Sequence, residues 1–215
     1  MDDNWLLQAL MQLIPLILSL TVHEWAHAYS AMRLGDDTAQ RLGRLTLNPI
    51  PHIDPIGTLL LPLIGVPFGW AKPVPVNPTR FTRKMPMRTG MMITAAAGPF
   101  SNVVLALMCI LIMGVLARFS FDNRAVEMLL LSGFQLNVLL AVFNMLPIPP
   151  LDGSRVADGL MPSRLRPGWE RFTVYGPFVL LGLVFVNFQL GGGMFSWPLN
   201  IAWRLGAGLL QAIAS

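Results

Sequence analysis

Two histidines and a glutamate fall within five residues in the stretch Thr21-Val22-His23-Glu24-Trp25-Ala26-His27-Ala28. On an α-helix at ~100° per residue, His23 and His27 stand one turn apart and about 40° around the axis. Two imidazoles so placed can share one metal ion, with Glu24 on the flank of the same face. This is the H-E-x-x-H arrangement: two ligands plus a carboxylate able to take a proton from an activated water. The pattern is short, and a lone helical histidine is usually a packed core residue. The apolar run around the motif weighs against that reading. Ionisable groups in lipid cost at least ~2.5 kcal/mol each, so a cluster of them there is kept for a reason.

Catalytic zinc takes three protein ligands and leaves one position open. The other glutamates are poor candidates for the third. Glu127 falls on the far side of the membrane in the topology below, and Glu170 sits in a polar loop with no following histidine at helical spacing. The run Asn144-Met145-Leu146-Pro147-Ile148-Pro149-Pro150-Leu151-Asp152-Gly153 offers more. Pro147 stops a helix, the prolines hold an extended segment, and Asp152 follows directly, with Gly153 permitting a tight turn behind it. For Asp152 to meet His23 and His27, the spans carrying the two motifs must run parallel.

The elements that would position these groups are membrane helices. Of 215 residues, 54% are apolar and 12% charged, and mean hydropathy is +0.59. Soluble domains carry roughly 25% charged residues, so an integral membrane protein is expected. A disordered chain, a disulfide scaffold and a soluble Rossmann or TIM-type enzyme are excluded. The single cysteine, Cys109, excludes an internal disulfide and a cysteine-based zinc site. The net charge of +4 suits a cytoplasmic membrane face, so lipid bilayer and not nucleic acid is the expected partner.

The apolar runs predict spans at about 5–32, 90–117, 128–146 and 172–189, and a weaker one at 195–214 with Arg204 in its middle. The expected fold is an all-α polytopic membrane protein of about five to six transmembrane helices, with a re-entrant or β-like loop near the active site. Its single membrane-embedded domain covers 1–215, with a catalytic core at about 5–155 and C-terminal helices at about 172–214. Met-Asp-Asp-Asn at the start is acidic, unlike the basic n-region of a cleavable signal. Gly191-Gly192-Gly193 reads as a hinge.

The short apolar piece 56–70, with Gly57, Pro62, Gly65, Pro67 and Gly69, decides the sidedness. If it dips in and returns, one face holds Arg33, Arg41, Arg44, Lys72, Arg80, Arg83, Lys84, Arg88, Arg155, Arg164, Arg166 and Arg171, and the other holds only Arg118 and Arg124. A single crossing destroys that bias. The positive-inside rule therefore predicts a dip, with the N-terminus outside and the active site nearer the cytoplasmic side of the plasma membrane. Backbone that dips is tolerated only beside protein or a water-filled cavity.

The membrane H-E-x-x-H helix followed by N-x-x-P-x-P-x-L-D-G resembles the site-2 protease family of intramembrane zinc metalloproteases. Ala97-Gly98-Pro99-Phe100-Ser101-Asn102 is similar to that family's small-residue and asparagine motif. The resemblance covers about 15–155 and matches the compact prokaryotic type, without a PDZ or CBS insert. It implies one zinc ion held by His23, His27 and Asp152, with Glu24 as catalytic acid/base and Asn144 helping to hold the reacting carbonyl or water. It also implies cleavage of peptide bonds in or near membrane-spanning segments of transmembrane or membrane-associated protein substrates.

The remaining polar residues have plainer readings beside functional ones. Gly90, Thr94, Gly98, Asn102 and Ala106 recur every four residues, a seam of small and polar side chains that lets helices approach closely. Asn102 reads first as a hydrogen-bond tie between core helices and second as a catalytic donor. Gly133, Asn137, Ala141 and Asn144 form a similar face. His52 reads first as a loop histidine bonded to Asp54 or to backbone, with substrate gating as the alternative. The proline-spaced segments around it suit extended or edge-strand backbone that could pair with substrate. Two rival functions use the same residues: an ion, proton or metal transporter built on His23, Glu24, His27 and Asp152, and a catalytically silent scaffold.

Overall fold

The computed structural model of the protein describes residues 5–64, 69–82, 84–189, 191, 193 and 196–214. Gly65, Pro67, Arg83, Gly192 and Phe195, used in the expectations above, and the first four residues lie outside that set.

The described chain is all-helical. Its α-helices are α1 (Trp5–Arg33), α2 (Thr38–Arg41), α3 (Leu61–Leu63), α4 (Met87–Arg118), α5 (Arg124–Asn144), α6 (Asp152–Leu160), α7 (Arg166–Gln189) and α8 (Ser196–Ala214). By length and composition, Met87–Arg118, Arg124–Asn144 and Ser163–Asn187 can cross a membrane. At 29 residues, α1 is also longer than the ~20 a crossing needs. The predicted spans match these helices within a few residues. Between the spans predicted at 128–146 and 172–189 the chain also forms α6 and a short 3-10 turn at Ser163–Leu165.

Small residues set the core spacing. The face of α4 that is buried carries Gly90, Thr94, Gly98, Asn102, Ala106, Ile110 and Gly114, one every fourth position. On α5 the buried set is Gly133, Phe134, Asn137, Leu140 and Ala141. In lipid, where apolar surface gives no drive for association, close backbone approach and interhelical hydrogen bonds hold such helices together. One polar chain crosses all three core helices. The Asn102 amide donates to Asn137 Oδ1 at 2.8 Å, and the Asn137 amide donates to Ser19 Oγ and to the Gly133 carbonyl, each at 2.8 Å.

These contacts fix helix directions. His27 meets Thr94 while His23 meets Asn102, so α1 and α4 run antiparallel. Asn137 lies against Asn102, and Gly133 against Cys109, so α4 and α5 are antiparallel too. The first and fifth helices therefore run parallel, and both deliver their C-terminal ends to one level. On the other side of the core, α8 packs along α4, with Gly206 at Ile110 and Ile213 at Gly114. By contrast, α7 touches the core through Gly176 against Pro149 and is otherwise largely exposed.

The segment that was expected to dip does return to its starting point. Asp54 caps a π-helical turn, Pro55–Leu60, by accepting the amides of Ile56 and Gly57. After α3 the chain comes back alongside its own entering leg. The Trp70 amide donates to the Gly57 carbonyl at 3.3 Å, and the Lys72 amide to the His52 carbonyl at 2.9 Å. The returning leg has no regular secondary structure, and no strand occurs among the described residues. Beyond Lys72, the Val74 and Asn77 amides are engaged elsewhere, and Pro73 and Pro75 have none to offer.

Candidate metal centre

The parallel placement of α1 and α5 brings Asp152, first residue of α6, onto the two histidines. Asp152 Oδ2 lies 3.2 Å from His23 Nε2 and 3.3 Å from His27 Nε2. The two Nε2 atoms are 3.0 Å apart. Tetrahedral zinc with bonds of ~2.0–2.1 Å separates its ligand atoms by about 3.3 Å. The triangle has that size.

Hydrogen bonding says what these three atoms are. The Gly133 carbonyl can only accept, so the Asn137 NH2 faces it and Asn137 Oδ1 faces Asn102. Asn102 then presents its NH2 to Asn137 and its Oδ1 to His23 Nδ1, at 2.6 Å. His23 must carry its proton on Nδ1. His27 Nδ1 donates to the Thr94 carbonyl at 2.7 Å, so it is protonated at the same position. With neither ring carrying a second proton, as metal binding requires, two Nε2 lone pairs and a carboxylate oxygen converge on one point. Such a cluster is repulsive until a cation sits at its centre. A nitrogen–nitrogen–oxygen set on rigid elements, each histidine oriented through its other nitrogen, fits a divalent metal such as zinc. Asp152 opens α6, and the amino end of that helix favours its charged form.

Glu24 stands one step outside this triangle. One carboxylate oxygen of Glu24 lies with the histidine nitrogens in a set whose members are within 4.8 Å of one another. The carboxylate is buried, and its Oε2 accepts the Val74 amide at 2.8 Å. That amide belongs to the leg leaving the dip. The leg is fastened further along by Asp36, whose carboxylate accepts the Asn77 amide at 2.6 Å and the Thr38 amide at 3.0 Å. The proline-spaced strap thus holds Glu24 instead of standing free as an edge strand.

Asn102 both ties helices and orients His23. The described structure does not bring Asn144 or His52 into the cluster. Asn144, last residue of α5, donates to the Leu140 carbonyl at 3.0 Å. His52 is buried and bonds the Thr46 carbonyl through Nε2 at 2.9 Å, while neighbouring Asp54 caps its own turn. Four contributors were not singled out from sequence. The Thr94 carbonyl sets the His27 tautomer, and Val74 and Asp36 hold Glu24. Gly98 is the fourth: a Cβ there would overlap His27 Nε2 and lie 2.6 Å from His23 Nε2. The four-residue seam and the small-residue motif at 97–102 both contain it, but neither gave it this role.

Two imidazole nitrogens and a carboxylate oxygen that converge beside a buried carboxylate, on a scaffold of membrane-length helices, are the donor set expected of one class: a membrane zinc metalloprotease. The comparisons agree. The family model "Peptidase family M50" matches residues 118–186. The chain is 42% identical over 196 residues to the Bacillus subtilis protein named "Putative zinc metalloprotease YwhC", covering 89% of this chain and 86% of that one. It is 33% identical over 157 residues to "Putative zinc metalloprotease Rip2" of Mycolicibacterium smegmatis, covering 72% of this chain and 57% of Rip2. No solved structure matches significantly. The chain belongs to peptidase family M50, the site-2 protease family. It is a site-2-protease-like zinc metalloprotease acting on protein substrates, and the transporter and silent-scaffold readings give way to that assignment.

Proposed function

We propose that this chain is an intramembrane endopeptidase that cleaves peptide bonds in or near transmembrane segments of membrane proteins. It works as a single multi-pass domain over 1–215 in the plasma membrane, N-terminus outside, with one zinc ion per chain. The observation that carries this reading is the convergence of His23 Nε2, His27 Nε2 and Asp152 Oδ2 within 3.3 Å, between membrane-length helices and beside Glu24.

Zinc held by those three atoms supplies Lewis-acid polarisation of a carbonyl and acidifies a water. The chain's own groups do the rest. Glu24, with Oε2 on the Val74 amide, has Oε1 for proton work: it takes the proton from the attacking water and passes it to the leaving amine. Asn102 and Thr94 keep both histidines in the tautomer that turns Nε2 inward. A helical substrate hides its carbonyls in its own hydrogen bonds, so it must unwind before attack. The Gly- and Pro-rich dip beside Glu24 is suited to receive it. Asn144, at the mouth of the Asp152 loop, serves as a donor to the reacting oxygen through the second hydrogen of the NH2 group that holds the Leu140 carbonyl.

The test is co-expression with a library of single-span membrane proteins, comparing wild type with Glu24→Gln. Fragments that form only with wild type are the expected result. Identical fragment patterns from the two would refute the proposal.

A further inference from the structure

We propose that a second site, separate from the metal centre and independent of the peptidase reading, binds the phosphate group of an anionic phospholipid. It is a cavity of about 420 Å³ between the amino end of α4, the outer face of α6 and the start of α7. Arg88, Arg155 and Asp158 line it, leaving one net positive charge. Its orphaned polar atoms are all donors. Arg88 Nη1 and Trp169 Nε1 are shielded from solvent and have no acceptor among the described residues, and neither does Arg166 Nε on the adjoining turn. Arg88 Nη2 forms an ion pair with Asp158 at 3.6 Å, beyond hydrogen-bond length, so the guanidinium keeps hydrogen-bond capacity for a second anion. Buried donors without acceptors cost roughly 1–3 kcal/mol each, more when charged. The missing partner is therefore an acceptor-rich anion, and a phosphate suits a guanidinium fork.

Two observations favour a lipid as its source. Arg88 and Trp169 lie near the starts of two membrane-length helices, Met87–Arg118 and Ser163–Asn187, where headgroups sit and tryptophan is enriched. Apart from the hydroxyls of Ser154 and Thr173, the remaining wall is apolar, with Met87, Met91 and Pro149. Beyond it α7 offers a long apolar surface, its span only 6% buried, along which acyl chains can lie. The α4 amino end has no side-chain cap, and its dipole adds to the positive field. On α6, Ser154, Arg155 and Asp158 face the cavity while Asp152 faces the histidines, so the two sites occupy different faces of one helix.

The test is lipid retention by purified protein exchanged into nanodiscs of phosphatidylcholine with or without phosphatidylglycerol, then released and read by native mass spectrometry. Wild type should retain phosphatidylglycerol. Arg88→Gln and Arg155→Gln should each weaken retention about tenfold, and Trp169→Phe a few-fold. Arg88→Lys should fall between, and Arg204→Gln, an exposed charge on α8, should change nothing. Zinc content shows whether each variant has folded. Equal retention in wild type and Arg88→Gln, or equal loss in Arg88→Gln and Arg204→Gln, would overturn the site as annular lipid or water only. Displacement of the lipid by millimolar inorganic phosphate would overturn the lipid source in favour of soluble phosphate.

Discussion

Glu24 Oε2 accepts the backbone amide of Val74 across fifty residues of chain, at 2.8 Å. The carboxylate proposed to move protons is thus aimed from outside its own helix. Helical spacing puts it near the histidines, and the strap makes it stay.

Glu24→Gln keeps the shape and can still accept the Val74 amide, but it cannot take a proton. Zinc content should match wild type while cleavage of a membrane-spanning reporter falls by about 10²–10⁴-fold, the usual scale for general acid–base catalysis. Metal analysis and a single-turnover cleavage assay on the same preparation check both halves. Zinc loss in this variant would mean that Glu24 is a ligand instead.

Asp152→Ala and Asn102→Ala should rank in that order for loss of zinc affinity. Asp152 supplies one of three converging atoms, whereas Asn102 acts by holding the His23 ring. Loss of such an outer partner typically costs ~10–100-fold in affinity, and loss of the ligand should cost more. Competition with a chelator of known affinity measures both, and the reverse order would remove Asp152 from the metal centre.

Gly98→Ala places a methyl group on both imidazoles. The expected outcome is loss of zinc out of proportion to any loss of stability, because the clash falls on the ring nitrogens and not on the wider helix interface. Gly182→Ala, where nothing lies within 4 Å, is the matched control. It should be neutral or stabilising by up to ~1 kcal/mol, the helix preference of alanine over glycine. Equal zinc in both variants would show that the metal does not sit beside α4.

Asp36→Ala releases the strap. Asp36 is buried and accepts the amides of Thr38 and Asn77, so removing it strands donors at about 1–3 kcal/mol. Cleavage should slow more than zinc binding weakens, since the strap reaches Glu24 and not the metal triangle. A thermal melt, chelator competition and kcat together separate the effects. An unchanged kcat would detach the strap from catalysis.

Much of this protein is local and periodic, and local periodicity can be read directly. An apolar run long enough to cross lipid has to be helical there, because unpaired backbone groups are too costly in hydrocarbon. One helical turn is enough to put His23 and His27 on one face, and the four-residue recurrence from Gly90 to Ala106 is enough to make a seam. Charge bias pointed to a chain that returns on itself, and the His52–Lys72 pairing shows it returning.

What tertiary structure alone decided are meetings between distant residues whose side chains carry no periodic signal. The carbonyl of Thr94 orients His27, and every residue has a carbonyl. Gly98 matters because two rings occupy the space its missing Cβ would take. Val74 was one apolar residue among prolines until its amide met Glu24. The start of α6 at Asp152 also needed three dimensions, since a connection of mixed polarity has no period to read. Helix formation depends on neighbours along the chain and on the solvent, whereas these contacts depend on how α1, α4 and the returning leg pack.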